Sequence, residues 1–115
     1  MSDRHLLIHA YGDTPDALST ALRVARNSTQ DLGPEAGIHI VVQGPLVRQL
    51  SAGSPFAQEI TETRAAGPID IAACQNSMTS AGVEAADLAA TVAVVPSAVA
   101  YLAERQWEGW AYVRF

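Results

Sequence analysis

This chain of 115 residues has no lysine and a single cysteine, and its seven arginines are scattered along its length. Without lysine there is no Schiff-base chemistry and no P-loop cation. Scattered arginines in a chain of formal charge -5 build no basic patch. Nucleic acid is therefore excluded as a partner, because phosphate binding depends on clustered cations. One cysteine closes no internal disulfide, which points to a reducing, cytoplasmic home. The N-terminal "MSDRHLLIHAYGDT" has only a short apolar stretch and no cleavage pattern, so no signal peptide is expected. Without a secretory route, the sequon at Asn27 carries no information. The least charged region, "LAATVAVVPSAVAYLA" from Leu88 to Ala103, is too short for a bilayer and is split at Pro96-Ser97; no membrane span is expected.

Several chemical signatures are missing as well. There is no GxSxG elbow, no GxGxxG and no GxxxxGK[ST]. Dinucleotide and nucleoside triphosphate binding thus lack their usual loops, and no cofactor is expected. Cys74 and the histidines at 5, 9 and 39 have no metal-ligand spacing, so no metal is expected either.

An apolar fraction of 49% with 17% charged residues describes a folded globular chain, and the length fits one domain over residues 1–115. Strand-like and helix-like patterns alternate from end to end. His5–Ala10 reads as a strand, followed by the turn "YGDT". Thr14 is placed to cap a helix with Pro15 at its first position, and Leu18, Ala21, Leu22 and Ala25 give that helix an apolar face. Gly37–Gly44 is β-branched and bounded by glycines, as a buried strand is. Leu46, Val47 and Leu50 suggest a short helix, and Ser54-Pro55 can start another with Phe56 and Ile60 inward. "IDIAA" is a third strand ending at Cys74, followed by short helical turns broken at Gly82. Thr91–Val95 is a fourth strand, and Ser97 caps a helix with Val99, Leu102, Ala103 and Gln106 on one face. Gly109 turns into a last strand, "WAYVRF".

This βαβαβαβαβ order implies a three-layer α/β/α sandwich with a five-stranded, mainly parallel sheet covered on both faces. Pattern alone leaves the strand order open. Trp107, Trp110, Tyr112 and Phe115 read first as core and sheet packing, with a subunit interface as the alternative. Glu59, Glu62, Glu84 and Asp87 read as solvated helix faces, and Asp70 as an edge or cap residue.

In open α/β sheets, ligands bind beyond the carboxyl ends of the strands. Those ends carry His9 and Tyr11, Gln43 and Gly44, Cys74 with Asn76 and Ser77, and Pro96 with Ser97. Cys74 precedes a helix start, where backbone N–H groups favour a thiolate. Asn76 and Ser77 can cap that helix or donate to sulfur. The competing role for a lone cysteine is a small buried core residue.

Three segments, "HIVVQGPLV", "IDIAACQNSMTSAGVEAADL" and "AVVPSAVAYLAERQWEGWAYVRF", resemble the DsrE/DsrF-like family of small sulfur-relay proteins between Ile38 and Arg114. The resemblance implies a five-stranded α/β/α fold and homo-oligomers, often trimers or hexamers. It also implies that Cys74 carries a persulfide in a sulfur-relay or sulfurtransferase-like role. Asn76, Ser77, Gln43, Gly44, His9 and Ser97 would then support or line the site. With no second cysteine, transfer needs separate sulfur donor and acceptor proteins. The alternative function is a non-catalytic oligomeric module that binds a small ligand, with Cys74 structural.

Overall fold

The computed structural model describes residues 4–12 and 14–115. Asp13, in the turn expected after the first strand, lies outside them. The chain runs β1 (His5–Tyr11), α1 (Ala17–Leu32), β2 (Gly37–Gln43), a 3-10 helix (Gly44–Leu50), α2 (Ala57–Ala65) and β3 (Ile69–Cys74). It continues through α3 (Gln75–Ala81), a short 3-10 turn (Ala85–Asp87), β4 (Ala93–Val95), α4 (Ala98–Trp107) and β5 (Ala111–Arg114). The five strands lie in the order β4-β3-β2-β1-β5, and every pairing is parallel.

Strand residues alternate between two faces, and the alternation sorts the core into two clusters. Ile8, Ile40 and Ile71 are register partners across β1, β2 and β3. They point to one face with Leu18, Leu22, Leu46, Val47, Leu50, Ile60 and Met78. Leu7, Val41 and Cys74 point to the other face and meet Ala98 and Leu102 of α4. The first cluster draws on α1, the long 3-10 helix, α2 and α3, whereas the second draws on α4 alone. The expected cover on both faces is therefore unequal.

Four local expectations change. Thr14 does not cap α1. Pro15 and Asp16 form a turn closed by the Ala17 N–H on the Thr14 carbonyl at 3.1 Å, so Asp16 becomes the cap residue, without a side-chain cap bond. Ser97 does cap α4, accepting from the Ala100 N–H at 3.3 Å, but the helix phase differs from the expected one. Ala98, Tyr101 and Leu102 turn inward, while Val99 is 65% exposed and Gln106 lies outward. The Ala98 N–H bonds the Cys74 sulfur, and that contact sets the rotation. The fourth strand is shorter than expected, Ala93–Val95, because only those residues reach register with β3.

The C-terminal aromatic segment is the fourth correction. β5 is exposed throughout, Trp107 is 83% exposed, and Tyr112 and Phe115 are partly open. Trp110 alone of the four packs inward, stacked on His5 at 4.1 Å between ring centroids. β5 is an edge strand paired only with β1, and neither core cluster draws on it, so its rings have little cover over the sheet faces.

Polar residues read as bystanders take structural roles. Asp70 pairs with Arg64 at 3.1 Å. Glu59 is not a free helix-face charge: it pairs with Arg26 at 3.1 Å and so ties α2 to α1. The Asp87 carboxylate accepts from the Glu84 N–H at 3.0 Å and caps the short 3-10 turn.

Candidate functional site

The carboxyl ends of β1, β2 and β3 and the start of α4 converge on a cavity of about 330 Å³. Cys74 forms part of its floor and is 2% exposed. The residue ends β3 in extended backbone and serves as the cap of α3, so the chain reverses there and its sulfur meets several donors. The Ala98 N–H donates to Sγ at 3.4 Å. The Ser77 hydroxyl and the Ser77 and Asn76 backbone N–H groups also favour its thiolate. Burial by itself pushes the thiol up, but these donors outweigh it and hold the thiol below its ordinary range.

Ser77 is itself polarised. The Gly44 N–H donates to the Ser77 oxygen at 2.7 Å, leaving the hydroxyl proton for sulfur. This chain of amide, hydroxyl and thiolate needs the backbone to turn abruptly after β2. Gly44 does so at φ 77, a conformation costly for residues with a Cβ. A Cβ there would also stand 3.0 Å from the Tyr11 ring.

Of the residues expected from sequence, Gln43, Gly44, Asn76, Ser77 and Ser97 line the cavity with Cys74. His9 does not. It is buried behind them, with Nε2 2.8 Å from the Gln43 oxygen and Nδ1 2.8 Å from the Tyr112 hydroxyl. With the Gln43 oxygen facing the ring, Nε2 carries the proton and Nδ1 accepts from Tyr112. His9 thus bonds Gln43 from outside the cavity lining. Sequence reasoning missed Arg48, Ser80 and the wall formed by Pro45, Ala81 and Val99. Arg48 and Ser80 had no signal, because they sit within helical segments and reach the rim only through the fold. Among the described residues, no cluster of three or more His, Cys, Asp or Glu side chains could hold a metal ion. No helix among them is long and apolar enough to cross a membrane.

Two histidines should make the fold acid-sensitive. Burial chiefly pushes His9 below 6.5; the Gln43 contact opposes this, and the Arg114 charge adds to it. His39 is lowered chiefly by burial too, with Asp70 opposing and His5 and Arg105 reinforcing. In the unfolded chain both rings take up protons as pH falls through 6.5, while the folded rings resist. The unfolded state then binds more protons, and stability drops as pH falls below that value. The urea midpoint should therefore decline from about pH 7 to about pH 5, and a His9→Gln/His39→Gln variant should show a much flatter profile.

A model of the DsrE/DsrF-like family matches residues 7–115. No curated protein matches the chain. Among solved structures, the protein of unknown function MTH1491 from Methanobacterium thermoautotrophicum is 28% identical, with a TM-score of 0.88 over 97% of this chain and 99% of that one. The ychN protein of E. coli is 15% identical, with a TM-score of 0.78 over 97% and 99%. Protein BT1422 from Bacteroides thetaiotaomicron is 23% identical, with a TM-score of 0.77 over 98% and 96%. The last two share the fold.

Proposed function

The chain belongs to the DsrE/DsrF-like family, and from that premise we propose that it is a sulfur carrier with a sulfurtransferase-like role. Cys74 takes up sulfane sulfur as a persulfide and passes it on. The observation that carries this reading is the sulfur itself, at the floor of a cavity, with the Ala98 N–H on it and the Ser77 and Asn76 groups favouring its thiolate. Such donors favour thiolate, the form that attacks sulfane sulfur. With no second cysteine in the chain, donor and acceptor are separate molecules. The same reading includes a cytoplasmic home and a homo-oligomer, a trimer or hexamer. The open aromatic edge at β5 supports assembly, since an uncovered edge strand gains from a neighbour.

Intact-mass analysis after exposure to inorganic polysulfide tests the carrier role. Wild-type protein should gain sulfur at one site and Cys74→Ser none. An unchanged wild-type mass would sink the proposal.

A second reading is favoured by the near-complete burial of Cys74 against Leu7, Val41, Ala98 and Leu102. In it the thiol fills space and the cavity holds a small ligand without chemistry. Slow alkylation of the folded protein, no faster than that of a buried inert thiol, would favour this second reading.

A further inference from the structure

The cavity above Cys74 has a charge character that the carrier role alone does not use. Among the described residues lining it, Arg48 is the one charged side chain, and no aspartate or glutamate joins it. This is a cationic opening in a chain of net charge -5. Arg48 lies on the 3-10 helix between Val47 and Leu50, both buried in the larger core, so its backbone is anchored. Its Nε donates to the Ala81 carbonyl at the end of α3, at 3.3 Å. Ala81 lines the same cavity, so that bond ties the side chain to the cavity wall. The terminal amino groups of the guanidinium have no protein partner among the described residues, so the fork that pairs with carboxylates is available.

The volume of about 330 Å³ lies at the lower end for small-molecule sites. With Cys74 only 2% exposed, sulfur has to arrive on a slender arm. A donor whose charge sits on its organic part can be held at Arg48. Inorganic polysulfide has no organic part to be held there.

Resting on the carrier reading, we propose that Cys74 is loaded from a small organic persulfide bearing a carboxylate, with Arg48 as the specificity-determining residue that holds that carboxylate. The Cys74 thiolate attacks the outer sulfur of R–S–SH. A Cys74 S–S bond forms, the R–S–SH sulfur–sulfur bond breaks, and R–S⁻ leaves with the electron pair. The transferred sulfur keeps its proton, so one negative charge stands on each side and no oxidant or reductant is required.

The test compares N-acetylcysteine persulfide with its uncharged amide as donors, reading initial rates of sulfur gain by intact mass. Wild-type protein should load about two- to five-fold faster from the acid, the discrimination expected of one exposed ion pair. Arg48→Gln should bring the acid-to-amide rate ratio down to about one, and Arg48→Lys should restore part of the preference. Equal wild-type rates for acid and amide would overturn the inference, as would an Arg48→Gln loss that is the same for both. Loading by inorganic polysulfide or a protein donor but by neither small persulfide would overturn the inference while leaving the carrier role standing. No loading from any donor would remove both.

Discussion

Ser77→Ala is expected to raise the titration midpoint of the Cys74 thiol and to slow its alkylation at neutral pH by about three- to ten-fold. The Ser77 hydroxyl favours the thiolate form of the sulfur and accepts from the Gly44 N–H at 2.7 Å. A hydrogen bond to a charged group contributes about 1.5–3 kcal/mol, so its loss lowers the thiolate fraction by roughly one to two orders of magnitude. The remaining thiolate is more basic and therefore more nucleophilic, with a Brønsted slope of about 0.4–0.5, which offsets roughly half of that loss. The Ala98 and Asn76 N–H groups remain, so reactivity should fall without vanishing. Alkylation rates with iodoacetamide across pH give both the midpoint and the limiting rate. An unchanged profile would mean that the Ser77 hydroxyl does not act on the sulfur.

Ile40→Ala is expected to destabilise the fold by about 2–5 kcal/mol without altering the chemistry of Cys74. Ile40 is fully buried at the middle of β2, the central strand of the sheet. Ile8 and Ile71 flank it in register, so three isoleucines form one ridge beneath α1 and its neighbours. Both flanking side chains are held by parallel pairings, so the space left by truncation cannot collapse easily. Against a total stability of about 5–15 kcal/mol for a domain of this kind, such a loss is large. It should appear as a lower urea midpoint at unchanged slope, because the surface exposed on unfolding is nearly the same. Ile40 faces away from Cys74, which belongs to the opposite cluster. Alkylation of the folded protein should therefore stay at the wild-type rate. A midpoint shift below about 1 kcal/mol would show that this core repacks around the gap.

The class of fold was legible because its signals are local. β-branched runs bounded by glycine, and apolar residues at helical spacing, need no tertiary partner to be recognised. Leu18, Ala21, Leu22 and Ala25 are all buried as expected, and β3 ends at Cys74 as expected. Ends and rotations were less legible. Thr14 had the right chemistry for a cap, yet the Pro15-Asp16 turn moved the helix start to Ala17. The face of α4 was misread by about one residue because the Ala98 contact with sulfur, twenty-four residues away in sequence, sets its phase. The C-terminal rings looked like core, since aromatic composition does not tell whether a strand has one neighbour or two.

By itself the sequence determined the element order, the parallel sheet and the place of Cys74 at a strand-to-helix junction. Local propensity and the rule that ligands lie beyond strand carboxyl ends suffice for those. Only the tertiary structure decided that Cys74 is buried yet faces a cavity, that His9 stands behind Gln43, and that Arg48 lines the same cavity. Each of these depends on which strands are neighbours and how far each helix is rotated, and both follow from packing between distant segments. "IDIAACQNSM" located the thiol; Gly44, Ser77 and Ala98, brought together by the fold, favour its thiolate.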